Sequence, residues 1–186
     1  MKLTSRFEDA LIFAVRLHAE QRRKGTEVPY ASHLLGVASI ALEFGADEDE
    51  AIAALLHDAV EDQGGAATLS RIRATFGDKV ADIVQGCSDS EVVPKPPWRE
   101  RKEAYLRHIA KADAGTRLVS AADKLHNARA INADCRKLGP RIWERFNASR
   151  EELLWYYRSL VTAFREAGGG PLVEELGVAV EEMARL

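Results

Sequence analysis

The chain has little cysteine, no surplus of positive charge and no long apolar run, and each absence narrows what it can be. Only 2 of its 186 residues are cysteine. Cys87 and Cys135 lie too far apart for a zinc-ribbon spacing and are too few for a disulfide framework. Two free, buried thiols in a reducing cytosol are expected. The formal net charge is −3, so no global basic field draws nucleic acid or an anionic membrane, and any positive patch must be local. No apolar stretch approaches the roughly 20 residues that span a bilayer. The N-terminal segment meets Glu8 and Asp9 before it builds an apolar face, which is unlike a signal peptide. The expectation is a soluble, cytoplasmic protein with no nucleic-acid or membrane partner.

A period-two alternation is also missing, which leaves no candidate sheet. Hydrophobic residues make up 46% and charged residues 30%, an ordinary globular balance, and nearly every segment has helical periodicity. The spacing predicts helices over about 4–21, with Phe7, Leu11, Val15 and His18 on one stripe, and over about 30–44, stopped by Gly45. A third runs from Asp47 into His57-Asp58-Ala59-Val60-Glu61-Asp62 and ends at Gly64-Gly65. Thr68 is expected to cap a short helix reaching Phe76, and another follows from about Lys79 to Gly86. Ser88–Pro97 reads as the one long loop, with prolines at 94, 96 and 97. Further helices are expected over about 98–111, 116–138, 140–146, 149–167 and 171–185. The triple glycine 168–170 is a joint too near the end to mark a second domain. The fold class is all-α: a single-domain helical bundle over residues 1–186. The last helix is a candidate surface for a homo-oligomer.

Three polar clusters interrupt this pattern. His33 opens the second helix, His57-Asp58 follows Ala53-Ala54-Leu55-Leu56, and Asp123 sits in Leu-Val-Ser-Ala-Ala-Asp-Lys-Leu. A buried carboxylate costs several kcal/mol unless it is paired or coordinated. Two Asp and two His on apolar faces therefore invite a shared cation, and imidazole with carboxylate suits Mn²⁺, Fe²⁺ or Zn²⁺. Glu61 lies four residues after His57, and Asp62 four after Asp58, one helical turn along. Both carboxylates are placed to manage protons at an attacking water and a leaving oxygen. Asn127 is one turn beyond Asp123. Arg22, Arg23 and Lys24 form a local basic loop near His33, suited to phosphate.

Each cluster has a plainer reading taken alone. A His-Asp pair can be structural, Asp123 can pair with Lys124, and Arg22–Lys24 can be a solvated loop. As an ordered set they resemble the HD-domain phosphohydrolase superfamily, and within it the hydrolase domain of RelA/SpoT homologues, especially small stand-alone members. The matching stretches are Arg-Arg-Lys-Gly-Thr-Glu-Val-Pro-Tyr-Ala-Ser-His at 22–33, Ala-Ala-Leu-Leu-His-Asp-Ala-Val-Glu-Asp at 53–62, Phe-Gly at 76–77, Gly-Cys-Ser-Asp at 86–89 and Ala-Asp-Lys-Leu-His-Asn at 122–127. The resemblance covers roughly residues 4 to 165. It implies a helical bundle in which His33, His57, Asp58 and Asp123 hold a divalent metal, usually Mn²⁺, with Glu61 and Asp62 as the catalytic acidic pair. Arg23, Lys24 and Asn127 would contact a small-molecule nucleotide, with Tyr30 shaping the pocket.

The implied reaction removes pyrophosphate from the 3′ position of (p)ppGpp. Other readings are an HD phosphohydrolase for a different phosphorylated nucleotide, a nucleotide-sensing module with the same fold, and a purely structural bundle. Ser88 replaces the family's usual Thr. Lys95, Arg99, Arg101 and Lys102 are further candidate basic contacts. The aromatic run Trp155-Tyr156-Tyr157 reads as packing for the last long helix.

Overall fold

Two helices organise the chain. In α3 (Glu48–Leu56) every residue from Ala51 to Leu56 is fully buried, and in α8 (Ala114–Leu138) buried residues occur on all sides. A segment buried on every side, as α3 is from Ala51 on and α8 is over residues 119–123, belongs at the centre of a bundle. Ala121, Ala122 and Ala128 leave α8 thin enough for neighbours to approach. Around this pair stand α1 (Ser5–Leu17), α2 (Ala31–Glu43), the single turn α4 (Ala59–Asp62), α5 (Gly65–Phe76), α6 (Asp78–Cys87), α7 (Trp98–Ile109), α9 (Arg150–Glu166) and α10 (Pro171–Arg185). A 3-10 helix, Gly139–Arg145, joins α8 to α9. These elements come from a computed structural model that describes residues 2–88 and 96–186, and no strand occurs among the described residues. The expected loop residue Asp89 and the candidate contact Lys95 lie outside them.

Local chemistry explains the boundaries. Thr4, Asp47, Asp113 and Ser149 cap α1, α3, α8 and α9 with side-chain oxygens, and Asp47/Glu50 and Ser149/Glu152 form reciprocal capping boxes. The helix predicted from Asp47 through Asp62 is broken at its most important point. The His57 ring bonds the Ala54 carbonyl at 2.9 Å, the acceptor that the Asp58 N–H would use to continue the ladder. The chain therefore turns at His57-Asp58 before α4 resumes. Thr68 caps nothing. It lies inside α5 and its hydroxyl donates to the Gln63 carbonyl. The stripe expected on α1 is also shifted, because Ala10, Ala14 and His18 are buried while Val15 is exposed. Small residues face inward there because α1 packs closely against α3.

The last helix docks on its own chain. Leu172, Val173, Leu176, Val180 and Met183 of α10 are buried, and α10 packs on α8 and α9. Asn132 ties the pair by donating to the Ala179 carbonyl at 2.9 Å. The buried apolar side chains of α10 are thus packed within the chain, while Val178 stays exposed. Both cysteines are free, with Cys135 buried and Cys87 half-buried. Leu160 on α9 is fully buried in the same apolar cluster, so Leu160→Ala should lower stability by about 2–5 kcal/mol. Urea unfolding followed by circular dichroism checks this, and an unchanged midpoint would mean that α9 contributes no core.

Candidate metal and phosphate site

The break after α3 lets His57 and Asp58 face the same point as His33, from the first turn of α2, and Asp123, from the middle of α8. The Nε2 atoms of His33 and His57 are 3.2 Å apart. Asp58 Oδ2 is 3.4 Å from His33 Nε2 and 3.0 Å from His57 Nε2. Asp123 Oδ1 is 3.2 Å and 3.6 Å from the same two atoms. Neighbouring donors at about 2.1 Å from one ion, at right angles, stand about 3 Å apart. The donor types and spacings fit a divalent cation, and His33, His57 and Asp58 alone already form a group able to hold one.

The surrounding bonds prepare these groups to ligate. His57 Nδ1 donates to the Ala54 carbonyl, which leaves Nε2 as the nitrogen that faces the carboxylates and that could ligate once deprotonated. His33 Nδ1 is 2.9 Å from His126 Nδ1. Burial, followed by the nearby His33 and Arg23, pushes the His126 pKa down to about 4. His126 is therefore neutral, and its Nδ1 can accept from His33 Nδ1–H, the tautomer that keeps His33 Nε2 available to the centre. Burial alone would raise the acids, but His57 and hydrogen bonds from both imidazoles hold Asp58 well below the usual carboxylate range. Asp123 is likewise held low against its burial by Lys124, 2.5 Å from Oδ2, and by the two histidines. Burial disfavours a charge on His57, yet Asp58 and Asp123 raise its pKa well above the ordinary value. A cation held by His57 would have to displace that proton.

Sequence reasoning missed His126 and Gly36. A Cβ on Gly36 would stand 2.3 Å from the His126 ring, so the glycine is what admits the imidazole behind His33. The motif at 122–127 contains His126, but nothing in the sequence says that it meets Gly36, on another helix.

Tyr30 does more than shape a pocket. Its hydroxyl, raised by burial and by the Asp58 charge, stays protonated and donates to Asp58 Oδ2 at 2.5 Å. Asn127 donates to Asp123 Oδ1 at 2.5 Å and accepts from Arg23 at 2.7 Å, linking the basic loop to the acidic centre. That loop is folded by Arg23 N–H to Val28 O and Tyr30 N–H to Gln21 O, at 2.9 and 3.0 Å. Gly25 turns it with φ +71°. Lys24 reaches Asn147 at 3.3 Å.

Beside the centre lies a cavity of about 440 Å³. Arg22, Arg23, Lys24, Tyr30, Asp62 and Asn127 line its polar side, and Ile131, Ile142, Phe146 and Tyr157 its apolar side. Its size suits a small ligand, and Tyr157 gives the aromatic run of α9 a part in the wall besides packing. Asp62 faces this cavity, whereas Glu61 is half-buried and not among its lining residues. Arg99, Arg101 and Lys102 do not line it either. Arg99 stacks over Trp155, Lys102 lies over Tyr156, and Arg101 bonds the Pro96 carbonyl. A larger groove of about 740 Å³ between α7 and α9 contains none of the His/Asp centre.

An all-helical bundle with a His, His-Asp, Asp centre at the turn between two buried segments defines a metal-dependent hydrolase fold, and the chain belongs to the HD domain family, whose model matches residues 10–154. Among its relatives, the guanosine-3′,5′-bis(diphosphate) 3′-pyrophosphohydrolase of Xenopus tropicalis is 39% identical over 138 residues, covering 73% of this chain and 72% of that protein. The human enzyme of the same name is 39% identical over 127 residues, or 67% of this chain and 68% of its own length. Among solved structures, a metazoan ortholog of SpoT that hydrolyzes ppGpp superposes with a TM-score of 0.79 at 27% identity, covering 100% of this chain and 97% of that one.

The expected consequence of the Gly36 packing is specific. Gly36→Ala should displace His126, leave His33 without its acceptor and weaken metal binding about 10- to 100-fold. Titration of the metal-free variant with Mn²⁺ measures this, and wild-type affinity would show that the His33–His126 bond is dispensable.

Proposed function

We propose that the chain is a metal-dependent guanosine-3′,5′-bis(diphosphate) 3′-pyrophosphohydrolase, converting (p)ppGpp to GDP or GTP and pyrophosphate. The observation that carries this reading is the junction of two imidazole Nε2 atoms, 3.2 Å apart and each within 3.6 Å of both the Asp58 and the Asp123 carboxylates, with a cavity edged by Arg22, Arg23 and Lys24. A His/Asp centre alone fits many phosphoester hydrolases. The added basic rim asks for a substrate with several phosphates, and the relatives that share the fold are named for such a substrate.

In this reading His33, His57, Asp58 and Asp123 are the metal ligands and Mn²⁺ is the ion. A bound divalent ion lowers the pKa of water and polarises a phosphoryl oxygen. The chain supplies the rest. Tyr30 and Asn127 fix the ligand carboxylates through the bonds described, and Arg23 and Lys24 bind the phosphates. The base stacks on the apolar wall of Phe146 and Tyr157. Water adds to the phosphorus attached to the ribose 3′ oxygen as that P–O bond breaks. Glu61 and Asp62 carry the water proton away and return a proton to the departing oxygen. Residues 1–186 act as one hydrolase domain, since one apolar cluster runs from Ala10 to Met183. No described helix is long and apolar enough to cross a membrane, in keeping with a cytoplasmic enzyme acting on a dissolved nucleotide.

The test is product analysis. Mn²⁺-loaded protein incubated with ppGpp should release GDP and pyrophosphate, Asp58→Ala should release neither, and chelation should abolish turnover until Mn²⁺ is restored. Release of orthophosphate in place of pyrophosphate would redirect the reading to another nucleotide phosphohydrolase. Tight ppGpp binding without turnover would redirect it to a sensor.

A further inference from the structure

Asp62 is an exposed carboxylate on a single-turn helix, and such a side chain has many rotamers in reach. One residue limits them. Gln21, in the turn after α1, donates its amide N–H to Asp62 Oδ2 at 2.7 Å. Its amide oxygen accepts twice: from Gln63 Nε2 at 2.6 Å, and from His18 Nδ1 at 2.6 Å. His18 is buried, its ring is stacked on Tyr30 with centroids 5.2 Å apart, and its Nε2 has no partner. His18 Nδ1 carries the proton of its bond to Gln21, because the amide oxygen can only accept. Two donors on Oε1 fix the orientation of the Gln21 amide, because the reversed amide would turn its oxygen to a carboxylate and its N–H to two donors. The NH₂ group must therefore face Asp62.

We infer that Gln21 is a positioning residue for the hydrolysis, holding the Asp62 carboxylate at the cavity edge through an amide whose orientation His18 and Gln63 set. The inference rests on the acid–base reading of Asp62 given above. The same His18 ring supports Tyr30, and Tyr30 donates to Asp58 Oδ2. One hydrogen-bonded and stacked unit thus registers the acid–base carboxylate against a carboxylate of the metal site. Gln21 also accepts the Tyr30 backbone N–H at 3.0 Å through its own carbonyl, a bond that side-chain substitution leaves in place.

Gln21→Glu is the most selective variant. It keeps an oxygen for His18 and Gln63, and replaces the donor facing Asp62 by a second acceptor. Gln21→Ala removes the bridge without adding charge. The kcat and KM of wild type, Gln21→Glu, Gln21→Ala, Asp62→Asn and the Gln21→Ala/Asp62→Asn double variant are measured with ppGpp, beside the manganese content of each protein. Both Gln21 variants should lose about 10- to 100-fold in kcat, keep KM within about threefold of wild type and retain full manganese. The double variant should be no slower than Asp62→Asn within about twofold, because Gln21 acts through that carboxylate. Losses that multiply in the double variant, or that follow lost manganese, overturn the proposal. So does wild-type kcat in both Gln21 variants beside a slow Asp62→Asn, which leaves the catalytic reading of Asp62 standing. Wild-type kcat in Asp62→Asn would instead overturn that reading, and the inference with it.

Discussion

Two carboxylates and two imidazoles share a buried point in this bundle, and the surrounding packing answers to that arrangement. Asp123 and both histidines are at least nine-tenths buried, where an unpaired charge would cost several kcal/mol. The protein compensates in three ways. Imidazoles and carboxylates face one another within 3.6 Å, Lys124 neutralises the far oxygen of Asp123, and hydroxyl and amide donors from Tyr30 and Asn127 take up remaining lone pairs. A divalent cation completes the same balance. The carboxylates and imidazoles are held facing one another by rigid helices, the preorganisation that a metal site requires.

The backbone around it is arranged to make that focus accessible. Were α3 continuous with α4, the Ala54 carbonyl would bond the Asp58 N–H and the ring of His57 would lose the acceptor that orients it. The break exchanges one ladder bond for a fixed imidazole. On the far side, α8 is thin where Asp123 sits, with Ala121 and Ala122 beside it, so α2 and α3 approach closely enough to deliver their histidines. Gly36 continues the same logic one layer out, leaving room for the His126 ring.

The phosphate side is built on different principles. The loop 21–30 is short, turned by Gly25, and tied by backbone bonds, yet its charged ends are anchored to the centre: Arg23 to Asn127 to Asp123. The acidic centre and the basic rim are thus joined through Asn127. The acidic centre attracts the Arg23 guanidinium through Asn127, which holds a cationic side chain at this edge of a net-acidic chain.

The helical class and the identity of the centre's residues were legible from the chain alone. Helical periodicity and capping residues are local properties, and a charged group in an apolar run is anomalous wherever it occurs. What the sequence could not show is relative placement across helices. The kink at His57-Asp58 depends on a side chain competing for a backbone carbonyl, Val15 faces solvent because α1 sits close on α3, and α10 spends its apolar face on α8 and α9. His126 behind His33, Gly36 beneath its ring and Gln21 beside Asp62 join residues up to 93 positions apart. Composition and spacing determined the helices and the ligand types; only tertiary packing decided which atoms meet, because hydrogen-bond partners are chosen by distance in space and not along the chain.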